Sequence, residues 1–96
     1  MAKVQILYWQ DIPSVVEARD ENGVHKELLS ERFQELIDLI AMKTKLAGTD
    51  EYLMEWAKGK RYEVDGSAEE VAKSVKDDFE SQYKEIRKRE LAKAVG

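Results

Sequence analysis

The stretch from Ser30 to Met42 constrains the fold most, because it separates a β-rich beginning from a helical remainder. Its apolar residues recur at i, i+3, i+4 and i+7, which is the spacing of one face of an amphipathic helix that needs a sheet to cover. Ser30 is a suitable N-cap, and Gly48 is a suitable residue just beyond the end of the helix. The face predicted to pack on the sheet consists of Phe33, Leu36, Ile37, Ile40 and Ala41.

The segment before this helix has the composition of β-structure. Val4–Trp9 is a β-branched and aromatic run that predicts a first strand, and Gln10–Pro13 predicts its end because proline cannot donate to a ladder. Asn22-Gly23 then predicts a hairpin between Ser14–Arg19 and Val24–Leu29. Its register is open. A two-residue loop places Val16 opposite Leu29, whereas a four-residue loop places Glu17 opposite Lys26 and Val15 opposite Leu28.

The segment after the helix carries a second, shorter helical signal. A helix is predicted from Thr49 or Asp50 through about Ala57, because Tyr52, Leu53 and Trp56 lie at i, i+1 and i+4 and so share a face. Lys60–Asp65 then alternates apolar and polar residues, which predicts a short final strand at an edge of the sheet.

A capping-box pattern formed by Ser67 and Glu70 predicts one long C-terminal helix. Its apolar stripe thins after Ile86, so we expect the last turn or two to project beyond the core and fray. The sequence therefore predicts a single α+β domain over residues 1–96. The expected architecture is an antiparallel or mixed sheet of about four strands with helices on one face, in the order β-ββ-α-α-β-α.

Residue types exclude several kinds of chemistry. The chain has no cysteine and a single histidine, His25, so thiolate nucleophiles, disulfides and cysteine-ligated clusters are excluded, and we expect no metal and no cofactor. The net charge is −4, although Lys84–Lys93 carries five cations and two anions. An acidic body and a mixed-sign tail without aromatic residues argue against nucleic acid. With no membrane span and no secretory signal in view, we expect a cytoplasmic location.

Several short runs resemble a known family. They are Leu7-Tyr8-Trp9, Asp11-Ile12-Pro13, Arg32-Phe33-Gln34, Ile37-Asp38, Ala41-Met42 and Thr49–Trp56. With these runs the chain resembles the small bacterial "virulence factor" domain, which occurs alone and as the C-terminal part of conserved virulence factor C proteins. The resemblance implies no catalytic residues. In the longer proteins this domain accompanies a segment similar to Nfu-type iron–sulfur scaffolds and HEAT-like repeats, which implies an adaptor and leaves a role accessory to metallocofactor metabolism as an alternative.

Two tryptophans are the first candidates for a binding site. Trp9 and Trp56 are of the residue type that most often anchors interfaces, although large aromatic residues also dominate small cores, and the core interpretation is favoured. Gln10 and Asp11 follow Trp9 in the predicted turn and join the candidate set.

Polar residues of the central helix complete the candidate set. Arg32, Gln34 and Asp38 lie in the family-like runs, and apolar periodicity does not explain them. Arg32 is expected either to anchor the sheet through an Arg–Asp pair or to bind an anion beside a helix N-terminus, and the structural role is favoured.

Two other sets of polar residues are predicted to lie on the protein surface and to have no role in a site. Asp65, Glu69, Asp77, Asp78 and Glu80 lack the spacing of a calcium loop and are expected on a solvated helix face. His25, Asp20 and Ser14 lack an oxyanion motif, so His25 is expected to be a solvent-facing hairpin residue.

The sequence therefore predicts a non-enzymatic protein-interaction or adaptor module. It binds a protein partner through an exposed sheet edge or the Trp9/Trp56 surface, with a second copy of the chain among the candidates. The alternative is a carrier or chaperone for a small ligand or cofactor, in which Arg32 meets an anionic group.

Overall fold

Three strands open the chain, and four helices and two further strands follow them, so the predicted α+β class is confirmed. The computed structural model describes residues 1–95. Within this part of the chain there are five strands and four helices. Their bounds are β1 Ala2–Trp9, β2 Ile12–Asp20, β3 Gly23–Leu28, α1 Glu31–Lys43, α2 Asp50–Met54, β4 Trp56–Lys58, β5 Tyr62–Val64, α3 Ala68–Ser81 and α4 Tyr83–Val95.

The strands form one antiparallel sheet in the order β3-β2-β1-β4, and β5 also pairs with β1. β4 pairs with Leu7–Trp9 and β5 with Ala2–Val4, so two short strands share one edge of β1. The sheet therefore has one strand more than predicted. The prediction that the helix continues through Trp56 and Ala57 is wrong. Trp56–Lys58 instead pairs with β1, and this pairing outweighs a weak helical spacing.

The turn between β1 and β2 is shorter than predicted. Gln10 and Asp11 alone form it, with Gln10 at a positive φ of 55°, and Pro13 belongs to β2 and does not end the β-structure. Ser14 is an extra residue between the pairs Leu7–Val15 and Tyr8–Pro13, which makes a β-bulge. A bulge tolerates a proline because the ladder is already interrupted there.

The β2–β3 hairpin has the second of the two predicted registers, with Glu17 opposite Lys26 and Val15 opposite Leu28. The ladder continues to Asp20–Gly23, so the loop consists of two residues rather than the four that this register was expected to need. Gly23 has a φ of 137°, a conformation that residues with a side chain rarely adopt.

Helices cover one face of the sheet. α3 lies across β1, β2 and β3, while α1 packs against β2 and α4. The edge of the Phe33 ring in α1 meets the Tyr83 ring in α4 with centroids 5.1 Å apart. The core between these layers includes the predicted α1 face together with Val4, Ile6, Val16, Val71 and Ala72.

The end of α1 is a Schellman motif. The N–H of Lys45 donates to the Met42 carbonyl at 3.2 Å, and the N–H of Leu46 donates to the Ala41 carbonyl at 2.8 Å. Lys45 takes the left-handed conformation of this motif, with a φ of 63°. Gly48 was expected in that position, and the prediction is wrong because the helix ends three residues earlier.

The C-terminal helical region is two helices instead of the predicted one. Ser67 Oγ accepts from the Glu70 N–H at 3.2 Å and begins α3 as expected, but α3 ends at Ser81 and α4 begins at Tyr83. Leu91 and Ala94 pack on the core, so the expectation that the last turns project beyond it is wrong for these two. Fraying of the final turn stays a prediction, since Gly96 lies outside the described residues. Each helix in residues 1–95 is too short or too polar to cross a bilayer.

Candidate functional site

Trp9 and Trp56 lie next to each other, but they pack against neighbouring side chains and do not form an exposed pair. They are paired residues of β1 and β4, and Tyr52 of α2 contacts both rings, at 5.4 Å from Trp9 and 6.4 Å from Trp56 between centroids. Trp9 is fully buried, and its Nε1 donates to the Tyr52 carbonyl at 2.8 Å. Trp56 is half-buried. Of the two, only Trp56 has exposed surface.

Gln10 and Asp11 hold the β1–β2 turn against other elements. The Gln10 N–H donates to the Glu55 carbonyl at 3.1 Å. The Asp11 carboxylate accepts from Lys93 Nζ at 2.8 Å, and the Asp11 carbonyl accepts from Arg89 Nη2 at 3.0 Å. The hydrogen bond and the charge of Lys93 outweigh burial and lower the pKa of Asp11 below its ordinary value. This turn is thereby tied to α4.

Arg32 is paired with Glu80, on α3, and not with Asp38. Arg32 Nη2 lies 3.0 Å from Glu80 Oε1 and 2.7 Å from the Glu80 carbonyl, and its guanidinium stands over the Tyr83 ring at 4.4 Å. Both the N–H and the Oγ of Ser30 donate to the same carboxylate at 2.7 Å. These contacts fit the predicted structural role of Arg32. Its guanidinium, however, joins α1 to α3 and does not anchor the sheet.

The Glu80 carboxyl shows opposing effects on its pKa. Burial raises the pKa, but the hydrogen bonds from Ser30 and Arg32 and the charge of Arg32 outweigh burial, so the pKa lies below its ordinary value. The side chain of Glu80 is 19% exposed. The prediction of a solvated helix face is therefore wrong for this residue. The cause is a partner segment about fifty positions earlier in the chain, which local spacing does not reveal.

Gln34 and Asp38 form an exposed pair along α1. Gln34 Nε2 donates to Asp38 Oδ1 at 3.0 Å, one helical turn away. Asp38 also borders a shallow cavity of about 380 Å³, with Met42 and Tyr52 in its wall. The seven predicted residues thus occupy four separate settings, and Arg32 does not join the tryptophans. Their role in binding stays a prediction.

A buried carboxylate on α4 was not predicted. Glu90 is 2% exposed, and its Oε2 lies 2.8 Å from Arg89 Nε and 3.1 Å from Lys93 Nζ. It follows Ile86 by four residues, so it continues the apolar stripe of the helix. The position of a charged residue on that apolar stripe was the sequence signal that could have predicted its burial.

The serine, histidine and aspartate of the hairpin do not form a triad. His25 Nε2 is paired with Glu27 Oε2, and Asp20 Oδ2 accepts from the Ala68 N–H at 2.7 Å at the start of α3. His25 is 33% exposed, so it is a partly covered residue and not the solvent-facing one predicted. Among residues 1–95, no cluster of three or more acidic or histidine side chains is arranged to hold a metal ion.

The sheet has a second face, opposite the one that carries Val4, Ile6 and Val16. Successive side chains of a strand alternate between faces, and paired residues point the same way. We call this second face the open face. By register it carries Lys3, Gln5, Leu7, Val15, Glu17, Arg19, Val24, Lys26, Leu28, Lys58 and Glu63, and Arg61 joins it through a 3.4 Å hydrogen bond from its Nε to Gln5 Oε1.

An apolar row crosses the open face. Leu7, Val15 and Leu28 are consecutive cross-strand partners on β1, β2 and β3, and Lys58 on β4 continues the row. Leu28 is 70% exposed. Together with Gln5, Glu17 and Lys26, these residues line a groove of about 430 Å³. A groove with an apolar floor and a polar rim has the layout of a protein interface.

The comparisons with known proteins agree with the resemblance in the sequence. The family model described as Virulence factor matches residues 7–92. Comparisons with curated proteins and with solved structures gave no match. The matched span includes the apolar row, the Arg32–Glu80 pair and the buried Glu90. Since it covers most of the sequence, the chain belongs to the virulence factor family.

Proposed function

We propose that this chain is a non-enzymatic protein-interaction module, an adaptor that binds another protein through the open face. The observation that carries the proposal is the apolar row of Leu7, Val15 and Leu28. These side chains lie side by side on paired strands, and the outermost of them is 70% exposed. An exposed apolar patch rimmed by polar groups is typical of surfaces that another protein covers.

The rigidity of the surface supports the proposal. The row lies on three strands joined by continuous ladders, so its side chains keep their spacing without a partner. Two side chains of types that often act in catalysis, His25 and Arg32, are paired with other residues. His25 is paired with Glu27, and Arg32 is paired with Glu80. Binding is therefore the function that the exposed groups serve best.

Affinity capture with matched variants tests the proposal. We expect the wild-type chain to retain a specific protein from a lysate of the cells that make it, and Leu28→Asp to lose that protein. Met42→Asp places the same charge at another exposed apolar position, 69% exposed on α1, and should retain it. Circular dichroism confirms that each variant is folded. Identical captures by all three chains would contradict the proposal.

A carrier for a small anionic ligand is the second candidate. A cavity of about 350 Å³ lies where α3 meets α4, with Tyr8, Arg89 and Lys93 in its wall. Both cations are already bonded there, to Asp11 and Glu90, which favours the adaptor. A thermal-shift series with inorganic phosphate and with nucleotides tests the carrier, and it fails if none of them raises the melting temperature.

A further inference from the structure

The open face differs in charge from the rest of the molecule. Its anions are Glu17 and Glu63, and its five cations are Lys3, Arg19, Lys26, Lys58 and Arg61. The face thus carries a net charge of +3, whereas the whole chain carries −4, so the remainder carries −7. One side of an acidic protein is basic.

The cationic side chains of the open face form no ion pairs with the described carboxylates. Ion pairs of Lys and Arg within residues 1–95 use side chains of α1, α3 and α4, namely Arg32, Lys73, Lys76, Arg89 and Lys93. None of the five open-face cations lies within ion-pair distance of a described carboxylate. A partner that brings carboxylates therefore breaks no existing ion pair, which removes one cost of binding.

The shape of the surface selects the form of the partner. The row from Lys58 to Leu28 runs across four strands, about 14 Å at the usual strand spacing. A partner strand added at an edge would not cover it. A helix with apolar anchors at i, i+3, i+4 and i+7 spans about 10 Å and fits along the row. A helix is also the usual cover for a bare sheet face.

We infer that the partner presents an acidic amphipathic helix, whose apolar stripe covers Leu7, Val15 and Leu28 and whose flanking carboxylates meet Lys26 and Lys58. This inference rests on the proposed function and adds the chemistry of the partner to it. A second copy of the chain fits poorly, because two faces of +3 repel each other. Nucleic acid also fits poorly, because its charged backbone would not cover the apolar row at the centre of the basic residues.

A peptide-display selection on the full chain tests the inference. The library contains helical peptides of about 18 residues with a fixed leucine stripe, and the flanking positions are drawn from Glu, Gln and Lys. We expect enrichment of Glu at the flanks. The selected peptide should lose affinity as salt rises from about 0.05 to about 0.5 M, because charges at an interface rim are screened.

Charge reversals then locate the contact. We expect Lys26→Glu and Lys58→Glu each to raise the Kd of the selected peptide about tenfold, and the double variant about a hundredfold. Lys84→Glu makes the same charge change on an exposed helical position and should leave the Kd unchanged. Melting curves confirm that these exposed substitutions leave the fold intact.

The remaining outcomes separate this inference from the proposed function. Loss of binding in Leu28→Asp, together with neutral or basic selected peptides or with no effect of the reversals, overturns the acidic helix and leaves the adaptor proposal standing. Equal binding by Leu28→Asp overturns both. Failure to enrich any peptide overturns the acidic helix alone, because affinity capture tests the adaptor proposal separately. A labelled oligonucleotide bound through Lys26 and Lys58 but not Leu28 overturns the inference in favour of nucleic acid. A native mass of two chains that Leu28→Asp reduces to one overturns it in favour of self-association.

Discussion

Glu80 joins three parts of the chain at the residue scale. It belongs to α3, accepts both polar hydrogens of Ser30 just before α1, and pairs with Arg32 in the first turn of α1. Arg32 in turn lies over Tyr83 of α4. Ser30 begins α1 without a side-chain bond to its own helix, because its hydroxyl is directed to Glu80. The side-chain cap that the sequence predicts is thus not formed, and Ser30 instead links the start of α1 to α3.

Replacing this carboxylate should destabilise the fold measurably. We expect Glu80→Gln to lower the free energy of unfolding by about 1–3 kcal/mol, since one of the two acceptor oxygens becomes an NH2 donor that faces the donors of Ser30 or Arg32, and the charge is lost. Glu85→Gln, an exposed acidic position at the start of α4, should change it by less than about 0.5 kcal/mol. Urea denaturation at neutral pH measures both. Equal losses would show that Glu80 contributes only a surface charge.

The same residue predicts a pH dependence. Because folding lowers the pKa of Glu80 below its ordinary 4.5, its contribution to stability is complete above that pH and is lost as the pH falls through the lower, folded value. The stability difference between wild type and Glu80→Gln should therefore be constant near neutral pH and shrink below about pH 4.5. Urea midpoints recorded from about pH 7 to pH 3 check this. A difference that grew in acid would contradict it.

At the scale of elements, local sequence patterns predicted most of the helices and strands. The elements that were predicted wrongly have identifiable physical causes. The β-branched and aromatic run predicted β1, Asn22-Gly23 predicted the β2–β3 hairpin, and helical periodicity predicted the inner face of α1. The break at Gln82 left no signal, because Phe79 and Tyr83 keep the four-residue spacing across it. β4 was missed because only its pairing with β1 makes it a strand. For the site, cross-strand register made Leu7, Val15 and Leu28 neighbours, and the sequence alone left that register open.

The end of α1 offers a test of backbone strain. Lys45 occupies the left-handed position of the Schellman motif with a φ of 63°, where a β-carbon costs roughly 1 kcal/mol. We expect Lys45→Gly to raise the free energy of unfolding by about 0.5–1 kcal/mol. The matched control Lys43→Gly replaces the last residue of the helix, which has helical backbone angles, and should lower the free energy of unfolding by about 0.5 kcal/mol. Thermal or urea unfolding distinguishes the two, and a loss of stability in both would refute the argument.

At the scale of the molecule, the two ends of the chain are held together on the helical side. Asp11 follows the first strand, and Arg89 and Lys93 of the last helix bond to it. The same two cations flank the buried Glu90. These contacts join residues about eighty positions apart, so the final turns of α4 contribute to the whole fold and not to a separate tail. The open face lies on the other side of the sheet, away from these contacts.

Stepwise truncation tests whether the last turns are structural. Ending the chain after Lys88 removes the contacts of Arg89, Glu90 and Lys93 and exposes the core beneath Leu91, whose partial burial alone is worth roughly 1–2 kcal/mol. Ending it after Lys93 keeps all of these contacts and should cost far less. Urea unfolding of the two shortened chains against the full chain measures the difference. Equal stability of all three would mean that the turns beyond Lys88 are frayed and that the Asp11 contacts contribute nothing to folding.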